Sequence, residues 1–423
     1  MMARHARGFL TVLLVACSVL SACGPEPESI ADAADILIHN AKIYTVDESN
    51  LWAQAAAIRN GRFVYVGSDA GVHAFHGSDT RSFDLAGKMV LPGLIDSHTH
   101  PGSIAIKGNE DTSKNLPYPA SKAEILAWVA DYAAANPKPD LILTGHWQVD
   151  VFGIEGPRKE DLDAVVPDRP VVVLDDSGHS KWVNSAFLKM IGVDANTPDE
   201  VPGVSLNRES IDLHLHTNSD GAARIALDAV AGARERAGGK LDTRVALCHL
   251  ELLHEDDFAR SRELGVIANF TLHWNGIGYL SSWGPSIGPE RTAQRFRIRP
   301  LIDDGAIVTY SSDETTIAGL ARTSPFFSMQ IGHNRQEVGA APDSEILAPI
   351  GERLDLADIV DGYTKAGAYQ LRAEGDLGTI EFGKLADLIV LNENLFAADR
   401  YEIHKIAPTA VLLAGELVWG SLP

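Results

Sequence analysis

The alternation of apolar and polar positions divides the chain into three stretches of different character. Residues 35–47 (DILIHNAKIYTVD) and 55–67 alternate with the period of half-buried strands, and Asn60-Gly61 supplies a turn inside the second run. Ser82 to Leu85 adds a third short strand before the turn at Ala86-Gly87. From residue 89 the pattern changes to short apolar runs separated by helical spacing. Val90 to Ile95, Leu141 to Thr144, Pro170 to Leu174, Ile211 to His216, Arg244 to Leu253, Val266 to Leu272 and Ala306 to Ser311 are the strand candidates. Between them, Ser121 and Glu124 form a capping-box pattern ahead of a helix from Ile125 to Ala135. Gly221 to Ala237 predicts a long helix, Glu255 to Leu264 a helix stopped by Gly265, and Asp355 to Leu371 another. The tail, Gly378 to Leu391 and Thr409 to Trp419, returns to strand-like runs.

Both ends thus share β character while the middle alternates strand and helix. The pattern predicts an α/β chain in which residues 35–88 and 376–423 meet as one small β-sandwich domain, beside a β/α barrel domain over 89–375. A chain of 423 residues can bury a core of that size. Seven strand candidates stand between Val90 and Ser311, and those near Leu141 and Val171 read as an inserted section. A closed barrel needs eight strands, so an incomplete ring is part of the expectation.

Residues 1–22 read as an export signal. Arg4 and Arg7 precede an apolar run of 14 residues from Phe9 to Ala22, short of the roughly 20 that span a bilayer. Leu20-Ser21-Ala22-Cys23 resembles the bacterial lipobox, which makes Cys23 the expected lipidation site and 23–34 a tether; an ordinary cleaved signal is the alternative. The expected location is the cell envelope, with a lipid anchor in a membrane. Without Arg4 and Arg7, 34 basic residues face 57 acidic ones, a net charge of −23 that repels phosphate backbones and argues against nucleic acid as a partner. Beyond Cys17 in the signal and Cys23, only Cys248 remains, so no intramolecular disulfide is expected in the mature chain. No sequence feature fixes an oligomeric state.

The candidate chemistry sits at strand ends. Asp96, His98 and His100 close the run MVLPGLIDSHTH, and side chains two apart on a strand leave it together. His216 ends IDLHLH, with His214 competing for the same role, His249 ends VALCH, and Asp313 follows IVTYSS. In a parallel barrel such ends converge on one face. Four imidazoles and a carboxylate suit Zn²⁺ or a similar divalent ion, which activates water and polarises a carbonyl, with the carboxylate as proton carrier. Each residue also has a plainer reading: His216 as a core histidine, Asp313 as a helix N-cap. Cys248 raises a Cys/His site, but alternation points His249 inward and leaves Cys248 a small buried hydrophobe. His146, His179, His273 and Arg335 are weaker candidates, His273 as a donor to substrate or oxyanion; Trp147, Trp274 and Trp283 line either a pocket or the core.

These motifs together resemble the amidohydrolase superfamily, and within it the YtcJ-like branch. PGLIDSHTH is similar to its first-strand metal motif, and HTNSD at His216 to Asp220 to its His-Ala-Ile-Gly-Asp element, which selects His216 over His214. Arg244 to His249 resembles the Arg-x-x-x-x-His strand, Ser312-Asp313 the terminal Ser-Asp, and GTIEFGKLADLIVL the closing segment. Gly178-His179-Ser180 with Trp182-Val183-Asn184 resembles an element near the substrate. The resemblance implies a (β/α)8 barrel with a sandwich built from both termini and hydrolysis of amide-type C–N bonds in a small molecule. It further implies metal ligation by His98, His100, His216, His249 and Asp313, with Asp313 also as general base, and substrate contact by His179. The chain departs from the branch between Gly203 and Ile211, where members carry further barrel strands and a carboxylated lysine; Lys181 has no match to that lysine. One ion is therefore expected rather than two. The competing expectation is a lipoprotein that keeps the fold for ligand binding without turnover.

Overall fold

The computed structural model describes residues 33–101, 116–117, 120–138, 141–148, 151–152, 156–175, 181–191, 212–276, 287–314 and 319–423. The export signal with Cys23, His179, Trp283 and the junction at 203–211 lie outside the described residues.

The amino-terminal strands are β1 (Ile36–His39), β2 (Lys42–Tyr44), β3 (Trp52–Ala53), β4 (Ala55–Arg59), β5 (Arg62–Gly67), β6 (Arg81–Asp84) and β7 (Met89–Pro92). Asn60 and Gly61 both take positive φ, 51° and 75°, the geometry that closes the two-residue hairpin β4–β5. One sheet has the order β5-β4-β1-β6. A second, β17-β16-β15-β7-β2-β3, adds the carboxyl-terminal strands β15 (Leu388–Leu391), β16 (Pro408–Leu413) and β17 (Glu416–Gly420), so both chain ends build it. Alternation explains its burial on both sides. Val90, Leu388 and Val390 pack with Ile38, Ile58 and Phe63 of the first sheet, whereas Met89, Leu91, Ile389 and Leu391 face a larger core containing Leu247, Phe270 and Tyr310.

The sandwich therefore claims β7, with Val90 opposite Val390. The strand expected over Val90 to Ile95 stops at Pro92, and the histidines leave from an extended segment beyond it. That segment docks beside β14 (Val308–Ser311): the Ser97 N–H and hydroxyl both donate to the Tyr310 carbonyl, at 3.3 and 2.7 Å, and the Asp313 N–H donates to the His98 carbonyl at 2.9 Å.

β11 (Leu213–Thr217), β12 (Val245–His249), β13 (Ile267–Thr271) and β14 pair in parallel and in sequence order, each reached through a helical connection. This is barrel-wall topology, and four strands are paired in it among the described residues. The helix Asp220–Arg236 turns Ala223, Ala226, Leu227 and Val230 onto the core at helical spacing. The helix expected over Asp355 to Leu371 is broken at Thr364 into Leu356–Tyr363 and Lys365–Gln370. The Ile95 N–H takes the Tyr363 carbonyl at 2.7 Å, which draws that carbonyl out of the helical ladder.

The runs near Leu141 and Val171 form β8 (Ile142–Trp147) and β9 (Val171–Asp175), which pair with β10 (Lys181–Val183) in a separate three-stranded sheet. Its core, with Ile125, Val129, Leu162, Val173 and Trp182, shares no residue with the other clusters, as befits an inserted section. The helix Lys122–Ala135 has the expected capping box: the Glu124 N–H donates to Ser121 Oγ and the Ser121 N–H to the Glu124 carboxylate.

Candidate metal centre

His98, His100, His216, His249 and Asp313 meet at the carboxyl ends of β11, β12 and β14. The Asp313 carboxylate is the hub: its Oδ1 lies 2.9 Å from His98 Nε2 and 3.0 Å from His100 Nε2, and its Oδ2 lies 3.7 Å from His249 Nδ1. His249 Nε2 is 2.7 Å from His216 Nδ1. Ligand-capable atoms of His98, His100 and Asp313, and of His98, His216 and His249, lie within 4.8 Å of one another in each group. His214, the competitor, is also present, its ring stacked on that of His98 at 4.6 Å and 7°.

Local structure explains the convergence. Asp313 stands two residues past β14 with φ 46°, and the Asp96 carboxylate fixes the turn by accepting from the Ser312 N–H at 3.0 Å and the Ser312 hydroxyl at 2.6 Å. Sequence reasoning had singled out Asp96 without a role; this clamp is its place in the structure. Beneath it, Asn269 donates to Ser97 Oγ at 2.8 Å and Thr309 Oγ1 at 2.9 Å, and Gln370 donates to the Ser97 carbonyl at 3.0 Å.

One expectation holds only in part. Strand alternation places His249 inward and Cys248 buried on the opposite side; His249 faces the site and Cys248 is fully buried, but the two do not lie on opposite sides. Cys248 instead lies opposite His216 in the parallel ladder, where neighbours share a face, and its Sγ lies within 4.8 Å of ligand atoms of His98 and His214. His249 reaches the same face because the backbone turns left-handed there, φ 73° at His249 and 45° at Leu250. Both neighbours thus serve one side, which alternation alone forbids.

Electrostatics fit a cation. Burial acts to raise the Asp313 carboxyl, but the short contact with His98 and the charges of His249, His98 and His100 outweigh it and hold the group below the ordinary carboxylate range. Burial first, and His98 second, push His214 down to about 4. The side chain of His98 is only 10% exposed and its Nε2 is turned on the Asp313 carboxylate, while the buried Nε2 of His214 beside it has no hydrogen-bond partner. Several imidazoles gathered around one buried carboxylate are what a divalent ion would satisfy, so the residues present fit such an ion.

His273 lies buried on the turn after β13, with Nδ1 without a hydrogen-bond partner; burial first, then Arg322, push it down to about 3. Trp274 stacks on His249 at 5.0 Å, whereas Trp147 belongs to the core of the inserted section. Trp182 and Asn184 are engaged in that section's own packing, Asn184 accepting from the Val171 N–H and donating to the Val166 and Arg169 carbonyls. Arg335 is buried away from the cluster, donating to the carbonyls of Leu347, Phe296, Arg295 and Ala348. Lys181 is exposed on β10, in the sheet of the inserted section, and the side chain of His146 lies outside the described residues. A cavity of about 300 Å³ lies at the opposite, amino ends of β12 and β13, where Arg244 is paired with Glu374 and Arg372 with Asp212.

Fold and site define an α/β protein that gathers imidazoles and a carboxylate at the ends of a parallel sheet. The chain belongs to the amidohydrolase family, whose sequence model matches residues 81–211 and 204–419, two stretches that adjoin where the sequence is shortened. It is 38% identical over 173 residues to the exoenzymes regulatory protein AepA of Pectobacterium carotovorum subsp. carotovorum, covering 40% of this chain and 37% of that one. It is 32% identical over 175 residues to the N-substituted formamide deformylase of Arthrobacter pascens, covering 39% and 30%, and 32% identical over 170 residues to the amidohydrolase YtcJ of Bacillus subtilis, covering 39% and 31%. The matches thus span about a third of the length of these curated relatives. An adenosine deaminase from Xanthomonas campestris with bound zinc shares the fold, with a TM-score of 0.51 and 16% identity over 92% of this chain and 94% of that one.

Proposed function

We propose that this chain is a metal-dependent hydrolase acting on carbon–nitrogen bonds, other than peptide bonds, of a small-molecule substrate. The observation that carries the reading is the meeting of His98, His100, His216 and His249 around the Asp313 carboxylate. Those five residues would hold the divalent ion; the zinc in the deaminase of similar fold supports Zn²⁺, and the relative named as a formamide deformylase supports the bond class. A bound ion of this kind polarises a carbonyl and makes water a better nucleophile near neutral pH. One ion is favoured over two, since the sequence offers no match to the bridging lysine of the YtcJ-like branch.

Asp313 is ionised at neutral pH, because its carboxyl lies below the ordinary range. It can take a proton from the attacking water and return it to the leaving nitrogen. His273, a buried neutral imidazole, is the donor for the oxyanion that develops on the substrate carbonyl. His179 keeps its proposed contact with substrate from the sequence resemblance.

The test combines metal analysis with turnover on N-substituted formamides, cyclic amides and N-acyl amino acids. Asp313→Asn is expected to lower kcat by about 10²-fold or more with the chain still folded. The relative named as a regulatory protein favours a second reading, in which the fold binds a ligand without turnover. Bound zinc with no hydrolysis of any of these amides, unchanged by Asp313→Asn, would establish that reading and reject the first.

We also propose that Cys23 anchors the chain to a membrane of the cell envelope. No helix among the described residues is long and apolar enough to cross one. Cys23→Ser should move the protein from the membrane fraction to the soluble fraction; an unchanged distribution rejects the anchor.

A further inference from the structure

The ligand groups at the strand ends are not equivalent. One is built from His98, His100 and Asp313, nitrogen and hard oxygen donors, with the His100 side chain 34% exposed. Another is built from His98, His214 and Cys248, with the thiol fully buried. His98 is common to both. Beside the nine-tenths buried His98 ring, 4.6 Å away, the buried Nε2 of His214 has no hydrogen-bond partner; the two rings are stacked, so a turn of the His214 ring is what brings its lone pair onto an ion shared with His98. Cys248 shares the face of His216 through the ladder register, so its sulfur is held on the site side by the sheet itself.

We propose that His98, His214 and Cys248 form an inner cation position with a thiolate ligand, distinct from the outer position at His100 and Asp313. The proposal rests on the metal-binding reading above and deepens it. On binding, Cys248 releases its thiol proton to solvent and its sulfur lone pair forms the bond to the ion. Because one His98 cannot complete both positions, they compete. Sulfur and imidazole select a soft or borderline ion, Zn²⁺ or Co²⁺, whereas the carboxylate-containing outer position suits a harder one such as Mn²⁺. Cys248 is thereby a selectivity device, sorting ions by softness.

Co²⁺ reports its ligands directly, since a thiolate adds a charge-transfer band in the near ultraviolet to the visible bands of any bound cobalt. The full chain, stripped by chelator and titrated with Co²⁺, should show that band. It should persist in a Cys17→Ser/Cys23→Ser chain, where Cys248 is the sole remaining thiol. Cys248→Ser should abolish the band, His214→Asn should weaken it, and Asp313→Asn should leave it in place. Visible cobalt bands without the charge-transfer band in the Cys17→Ser/Cys23→Ser chain would overturn the inner position while leaving the metal-binding reading intact. Failure to bind cobalt at all would overturn both.

Discussion

Asp313 is held in place by residues that never touch its carboxylate. Two hydrogen bonds from Ser312 to Asp96 fix the turn, each of a kind worth about 1.5–3 kcal/mol when the acceptor is charged. Asp96→Ala is expected to lower kcat by at least about tenfold with little change in KM, because the base is displaced while the binding surface remains. Asp96→Asn, which keeps an acceptor for the Ser312 N–H, should recover part of the loss. Equal losses in both variants, tracking a drop in folded protein, would show that Asp96 only stabilises the turn. At this scale the sequence was most informative where a residue's role follows from ending a strand. His216, His249 and Asp313 could be named because parallel strands bring their ends together, whereas His98 and His100 were legible from their spacing of two and reach the site from a segment beyond a sandwich strand. Cys248 was misjudged because alternation was carried through His249, where a φ of 73° breaks the period. His214 was set aside on resemblance, yet it lies on the same face of β11 as His216 and stacks on His98.

Elements were legible in proportion to how locally they are determined. The Asn60-Gly61 hairpin and the Ser121–Glu124 capping box are settled within a few residues, and both stand as the sequence indicates. The strand that ends at Pro92 was assigned to the wrong sheet, since its partner β15 lies some 300 residues downstream and an all-buried strand suits either layer. The break at Thr364 was invisible for the same reason: the group that takes the Tyr363 carbonyl belongs to Ile95. The helix Leu356–Tyr363 lies against β14 with Gly362 over the Tyr310 ring, where an added Cβ would stand 2.3 Å from a ring carbon. Tyr310 is fully buried and cannot retreat. Gly362→Ala should therefore cost about 1–3 kcal/mol, read as a fall in the urea midpoint. A midpoint at or above that of the unsubstituted chain would mean that helix and strand can separate without penalty.

On the scale of the whole molecule, four apolar clusters stand among the described residues, and the one within 116–182 shares no side chain with the layers that carry the histidines. Regions that share few contacts open independently. Hydrogen exchange should show β8 and β9 losing protection under milder denaturant than β12 and β13, and a single common opening would contradict that separation. The sequence had already set this section apart, in that the runs near Leu141 and Val171 read as an insertion and not as barrel wall. The extent of the barrel was less legible, since closure depends on partners at both edges of the sheet and no local pattern reports an edge.

The central position of β7 reaches further. Its neighbours are β2 on one side and β15, some 300 residues further along the chain, on the other, and the segment bearing His98 and His100 hangs from its end. Those imidazoles are seated only where strands so distant in sequence have met. Loosening of the β7–β15 pairing would release two ligands of the site together while His216, His249 and Asp313 stay on the parallel sheet, so retention of an ion reports on the integrity of the sandwich.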